Sequence, residues 1–575
     1  MTIFNFSDDE ALGKVLFVDT SSVIVEISEL EKLKQLQVNR LVVLHSSKSG
    51  QYLIGLINKI TRRKTNSDDT NLDLEDESSE QNLCKVALIG TFLDQDGEKK
   101  NVFRRTLESV PEIDANCFSL EKNYLTSFMK AFSDAEERNS LVIGKYTLDE
   151  SATAYLNGNK FFQRHAFIGG STGSGKSWTT AKIIEQTAKL KSANAIVFDL
   201  HGEYKPLQSE GIKHYKIAGP GDIVIKRTLS DSVIYLPYWL LSYEALVSIL
   251  VDRNDQNAPN QVMIMAREIN EAKQNYLKKG KHKDVLDNFT IDSPVPFDLE
   301  ALLGALKKIN SQMVPGSSGK EKQGEFHGKL SRMIARLENK KSDRRLGFLF
   351  QADGDVMKFD WLDKLSIALL GSTDENKQGG IKVIDFSEVP SDILPLMVSL
   401  VANVSFSIQQ WTPSEKRHPI ALLCDEAHLY IPRRDLADSA DNISINIFER
   451  IAKEGRKYGI SLVVISQRPS EVNKTILSQC SNFVSLRLAN TEDQAVVRKL
   501  LPDNLGGYGD ILPILDIGEA LVVGDASLLP SRIRIEKPEN EPSSGTVDFW
   551  DDWQKNVSKE RLNTAVDNWR KQNIR

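Results

Sequence analysis

The chain has 575 residues, room for about three or four folding units at roughly 150 residues each, which excludes a single small module. Its composition, 40% hydrophobic and 26% charged, is that of a soluble globular protein and excludes a collagenous, mucin-like or wholly disordered chain. Lys plus Arg number 73 against 79 Asp plus Glu, a net charge of −6, so any polyanion site has to be built locally rather than from a global positive field.

Residues 1–9 carry neither a basic start nor an apolar stretch, so no secretory leader is expected. The most apolar helix-like run, 393–408, is interrupted by Pro395 and Asn403, and no membrane span is expected. Short β-type runs at 15–18, 23–27, 41–44 and 52–57, separated by turn formers such as Ser46, Ser47, Ser49 and Gly50, predict a small barrel. Residues 64–82 hold Asp68, Asp69, Asp73, Glu75, Asp76, Glu77 and Glu80 with few large apolar groups, the composition of a disordered loop. Further strand-like runs at 85–92 and 102–105 make this loop an interruption of the barrel, which is expected to end near residue 130.

From about residue 140, buried β-runs at 166–168, 195–200, 233–236, 381–386, 420–424, 461–465 and 483–486 alternate with helical stretches, the pattern of a parallel sheet covered on both faces. Between 242 and 345 apolar positions recur at helical spacing, as in Leu246, Ile249, Leu250 and Leu330, Ile334, Leu337. This predicts a helical subdomain inserted between two core segments, 140–241 and 346–535. Within it, 314–328 reads as a mobile basic loop carrying Lys320 and Lys322. After a linker at 538–545, Trp550, Trp553 and Trp569 mark a helical tail over 536–575. The cysteines Cys84, Cys117, Cys424 and Cys480 lie far apart with no Cys-x-x-Cys pair, which argues against a disulfide scaffold or zinc site and for a reducing, cytoplasmic setting.

Between the run 166–168 and a helix at 177–189 lies Gly170-Ser171-Thr172-Gly173-Ser174-Gly175-Lys176-Ser177, followed by Trp178: a phosphate-binding loop in the right context. Its glycines let backbone N–H groups turn inward around phosphates, and the helix start adds its positive end. Lys176 reaches the outer phosphates and Ser177 ligates magnesium, so ATP and Mg2+ are the expected ligands. The apolar run 420–424 delivers Asp425 and Glu426 at its carboxyl end, where α/β sheets bind ligands. Asp425 is expected to hold the magnesium hydration shell and Glu426 to orient or deprotonate the attacking water. Alone, such a pair could equally be the acidic start of a helix.

In order along the chain stand Arg164-His165, the phosphate loop, Asp199-Leu200-His201-Gly202-Glu203-Tyr204, Asp425-Glu426-Ala427-His428, Glu454-Gly455-Arg456-Lys457-Tyr458-Gly459 and Ser466-Gln467-Arg468-Pro469-Ser470. This series resembles the HerA-type ATPases of the FtsK–HerA group of DNA translocases, over nearly the whole chain. Two departures are Leu200, where proline is common, and the acidic loop at 64–82. The resemblance implies an α/β, RecA-like P-loop core with an inserted helical subdomain, preceded by a small all-β barrel of the HAS type. It implies that Asp199 and Glu203 organise magnesium or water near the γ-phosphate, the alternative being that they satisfy loop amides. Gln467 is implied as a γ-phosphate sensor, with surface capping as the alternative, and either Arg164 or Arg456 as an arginine supplied in trans within a ring. DNA contacts would come from a ring lumen, with Arg433, Arg434, Lys320 and Lys322 as candidates. His165, His201 and His428 read as packing or hydrogen-bonding residues of their motifs, and no zinc is expected.

The leading expectation is a homohexameric ATPase that moves along double-stranded DNA with a NurA-like nuclease. Similar bacterial rings act in antiphage defence with sirtuin- or nuclease-type effectors, so the alternative is a ring that mainly assembles and gates such an enzyme. A membrane-bound pump would need transmembrane helices, and an ABC-type ATPase would need a Leu-Ser-Gly-Gly-Gln-like helix start that the chain lacks.

Overall fold

The computed structural model describes residues 3–34, 36–64, 80–97, 99–132, 140–315, 321–351, 354–371, 380–499, 503–527, 529–545, 549–555 and 560–571. Residues 65–79 of the acidic segment, and Lys320, lie outside the described residues.

The first seven strands are β1 (Ala11–Val18), β2 (Ser22–Glu26), β3 (Leu41–His45), β4 (Gln51–Lys64), β5 (Glu80–Asp96), β6 (Lys99–Arg104) and β7 (Asn116–Ser119). They pair in the order β2-β1-β7-β3-β4-β5-β6, and a further β2–β5 pairing closes six of them into an antiparallel barrel, with β6 added outside on β5. Alternation explains the closure. Val23 and Val25 of β2, Val42 and Leu44 of β3, and Val86 and Leu88 of β5 all enter one buried cluster. The opposite face of β3 is covered too, since Val43 is fully buried. Phe4 packs against Phe92 and against Phe128 of the helix Lys122–Phe132.

The chain divides into two compact units. The first comprises Met1–Gln186, Gln467–Ser470 and Cys480–Pro538. Besides the barrel it holds the strand Ala166–Gly169, paired in parallel with Asn482–Ser485, which continues antiparallel through Glu519–Gly524, Ser531–Ile535, Ser140–Tyr146 and Asp149–Asn157. Buried Asn482 joins the parallel strands to their surroundings. Its Nδ2 donates to the carbonyls of Lys160 and His165, and its Oδ1 accepts from Ala526 N at 2.7 Å.

The second unit comprises Thr187–Ser466, Glu471–Gln479 and Glu539–Arg575. Its six strands are all parallel, in the order Val233–Ile234, Ile212–Ile217, Ile381–Asp385, Ala195–Asp199, Ile420–Cys424 and Ile460–Ser466. Ile420–Cys424 and Ile460–Ser466 are buried at every position, the continuous apolar reading of strands covered on both faces. The helical insertion contains Tyr243–Leu250, capped by Ser242, then Ala258–Gly280, Leu299–Asn310, capped by Asp298, and Ser331–Ser342. Leu246, Met265, Leu302, Leu306 and Leu337 are buried in it. Part of the expected basic loop is ordered differently: Met313–Pro315 and Glu321–Gln323 form a two-stranded antiparallel hairpin that pairs Val314 with Lys322. Alternation over so few residues is too short to mark strands, so composition alone read it as a loop. No helix among the described residues is long and apolar enough to cross a membrane.

Candidate active site

In the first unit, the buried strand Ala166–Gly169 runs into the loop 170–175, and the helix Lys176–Ala188 starts directly after it. Two positions admit only glycine. A Cβ on Gly170 would stand 2.3 Å from Ser174 Oγ, and Gly175 has φ +103° with Gly518 Cα 3.2 Å from where its Cβ would be. The loop is tied to its surroundings by Ser171 N donating to Arg487 O at 2.9 Å and by Gly518 N donating to Ser174 O at 2.9 Å. Lys176 is buried at 9% exposure, whereas Thr172 at the loop tip is exposed. Thr172 Oγ1 donates to Gln467 Oε1 at 2.8 Å, so the predicted sensor sits against the phosphate loop. Trp178 has the Lys537 ammonium 4.7 Å from its ring centroid, and Lys182 pairs with Glu536 at 3.0 Å.

In the second unit, three neighbouring parallel strands end in carboxylates: Asp199, Asp385 in register with it, and Asp425 one residue past Cys424. The Oδ1 and Oδ2 of Asp199 accept from Glu203 N and Tyr204 N, each at 3.0 Å. The fully buried Tyr204 hydroxyl donates to Asp425 Oδ2 at 3.0 Å, and Asp425 Oδ1 accepts from Glu426 N. Glu426 has φ 43° and ψ 44°, a left-handed conformation that costs a non-glycine residue on the order of 1–3 kcal/mol. Its Oε2 is 3.3 Å from His428 Nδ1, which lies 3.2 Å from Ser466 Oγ. Glu203 is half-buried and serves the cluster through its amide. Sequence reading gave no role to Tyr204 or Asp385. For Asp385 a signal existed, because 381–385 repeats the apolar-strand-then-acid pattern of 420–425.

Burial pushes the Asp199 carboxyl up to about 7; the Tyr204 amide pulls it down, the Asp425 charge up, the Glu203 amide down and Asp385 up. The folded value lies above the unfolded one of roughly 3.9, so this group's stabilisation is complete at low pH and is lost as pH rises through about 7. Without nucleotide or magnesium, the wild type should therefore lose more thermal stability between roughly pH 5 and 8 than Asp199→Asn, which has no proton to release. Equal slopes in thermal melts would mean that Asp199 is ionised throughout.

The profile of the helicase HerA central domain matches residues 141–403. The chain is 26% identical over 502 residues to the probable helicase MJ1565 of Methanocaldococcus jannaschii, covering 86% of this chain and 84% of that protein. It is 27% identical over 416 residues to the DNA double-strand break repair helicase HerA of Sulfolobus acidocaldarius, covering 71% of each. Over residues 141–403 the chain is similar to the HerA central domain, and over most of its length to HerA-type helicases. Among solved structures, VirB4 of Thermoanaerobacter pseudethanolicus aligns over 70% of this chain and 97% of its own, at 16% identity and a TM-score of 0.43.

The two arginines expected to act in trans have different surroundings. Arg164 donates to Asp525 Oδ2 at 2.6 Å, and Arg105 donates to the neighbouring Gly524 carbonyl at 2.8 Å. Arg456 is exposed and enters no ion pair among the described residues. Of the DNA candidates, Arg433 holds Asp435 with two bonds, at 2.6 and 3.0 Å, and Arg434 reaches Glu449 and Asn446. Lys322 is exposed on its hairpin.

Proposed function

We propose that this chain is a hexameric ATPase that moves along double-stranded DNA together with a nuclease or antiphage-defence effector. The observation that carries the reading is the Thr172–Gln467 hydrogen bond, which ties a residue able to sense the γ-phosphate to a complete phosphate loop. The names of the relatives, among them DNA double-strand break repair helicases, support DNA as the substrate.

The residues suit ATP and Mg2+: in the first unit a glycine cradle without room for side chains at 170 and 175 is followed by the Ser177 hydroxyl, and in the second Asp425 offers a carboxylate, oxygen donors of the kind a hard cation takes. Bound magnesium supplies positive charge to the phosphate oxygens. Lys176 and the loop amides hold the outer phosphates, and Glu426 orients and deprotonates water. Asp199 and Glu203 brace the carboxylate end of the sheet. Arg456, without an ion pair of its own, is the better candidate for an arginine acting on a neighbour's nucleotide, because Arg164 would first have to leave Asp525. Arg433, Arg434 and Lys322 are the described candidates for phosphate contacts, Lys322 without an acidic partner to displace.

The test is the steady-state ATPase rate with and without linear duplex DNA, with Lys176→Ala subtracting contaminating activity. Stimulation of several-fold is expected. A flat rate would favour the second reading, a ring that assembles and gates an effector enzyme. One observation supports that alternative: Trp550, Trp553 and Trp569 of the tail are 76%, 72% and 75% exposed, a surface suited to a protein partner.

A further inference from the structure

The second unit contains a walled cleft of about 840 Å³, within the roughly 300–1,000 Å³ range of small-molecule sites. It lies among the strand Ile212–Ile217, the loop after helix Pro220–Val224 and the helix Trp361–Leu370, and none of its lining residues belongs to the phosphate loop or the carboxylate cluster.

Its chemistry departs from that of the chain around it. The protein as a whole carries −6, yet among the described residues the cleft is lined by four cations, Lys213, Lys226, Arg227 and Lys364, and by one carboxylate, Asp355, which lies 4.0 Å from Lys364. These cations are only partly compensated. Arg227 is 3.5 Å from Asp222, and Lys364 is 3.0 Å from Asp360, while the Lys213 ammonium lies 4.9 Å from the Tyr215 ring centroid. Lys226 is exposed and enters no ion pair among the described residues. It is held at φ 52°, a left-handed conformation whose strain of about 1–3 kcal/mol recurs at ligand-binding loops.

The remaining lining includes apolar and aromatic side chains. Tyr215, Tyr235 and Trp361 are buried along the lining, and Ile367 on the facing helix is 72% exposed. A bare anion would use the cations and leave those side chains wet, whereas a molecule with an anionic group and a planar apolar body would use both. A nucleic-acid track would instead need cations spread over an open face to follow successive phosphates.

The geometry points to a second ligand site in this cleft, for a nucleoside monophosphate whose phosphate is held by Lys213, Lys226, Arg227 and Lys364 and whose base lies against the Tyr215, Tyr235 and Ile367 surface. Binding there is independent of the phosphate loop.

The test uses the full chain carrying Lys176→Ala, which removes phosphate-loop binding, titrated calorimetrically with AMP and separately with inorganic pyrophosphate. One AMP per chain is expected, with pyrophosphate weaker. Lys226→Glu together with Lys364→Glu should weaken AMP at least about tenfold, since two attractive charges become repulsive. Both side chains are exposed, so an unchanged thermal midpoint will show that the doubly substituted protein is folded. No saturable AMP binding, binding that survives the double reversal, or pyrophosphate binding as tightly as AMP would each overturn the assignment. Because the background already lacks Lys176, none of these outcomes depends on the ATPase reading.

Discussion

Glu426→Gln should reduce ATP turnover by about 10²–10⁴-fold while leaving ATP bound. The substitution keeps the size of the side chain but removes the carboxylate proposed to accept a proton from water. The nucleotide's phosphates are assigned to Lys176 and the loop amides, so KM or the dissociation constant should change little. The surroundings of Glu426 raise the expected effect. The residue is 7% exposed, its backbone is held left-handed, and its carboxylate lies 3.3 Å from His428, so no neighbouring water-borne base readily takes its place. Single-turnover hydrolysis measured beside equilibrium binding separates the two quantities. Turnover at the wild-type rate would remove Glu426 from the chemistry.

Lys176→Ala should act one step earlier, abolishing binding and turnover together. Removing a charge-assisted contact aimed at transferred phosphate costs about 10²–10³-fold in rate, and the lost attraction for the ground-state phosphates weakens ATP as well. Lys176 is buried to 9% exposure at the first helical position, where solvent cannot supply a substitute cation. The pair of variants is diagnostic. Loss of ATP binding by Lys176→Ala and retention by Glu426→Gln distinguishes holding the nucleotide from hydrolysing it, whereas retention by both would mean that the phosphates are held elsewhere.

Much of this was legible before any coordinates. Residues 420–424 and 461–465 read as buried strands because nothing polar interrupts them, and the glycine pattern at 170–175 leaves few structures other than a phosphate cradle. What escaped was set by partners distant in sequence. Tyr204 could not be matched to Asp425 from its own neighbours, because the hydrogen bond spans 221 residues. Asp385 joins the carboxylates only through its register with Asp199. Arg164 and Arg456 look alike as motif residues, and only the position of Asp525 distinguishes them. The cationic cleft draws Lys213, Lys226 and Lys364 from separate segments, so no local charge run announces it.

The pairing of Ala166–Gly169 with Asn482–Ser485 has a consequence for how the protein is made. At roughly 5–20 residues per second, a ribosome needs about 15–60 s to synthesise the ~300 residues between those strands. The barrel closes through pairings among residues 11–119 and can form while the rest is still being translated. The strand before the phosphate loop must wait, because its parallel neighbour and the segment holding Gly518 against Gly175 both emerge late. Nascent chains released before residue 518 should therefore carry a finished barrel and an unfinished phosphate loop.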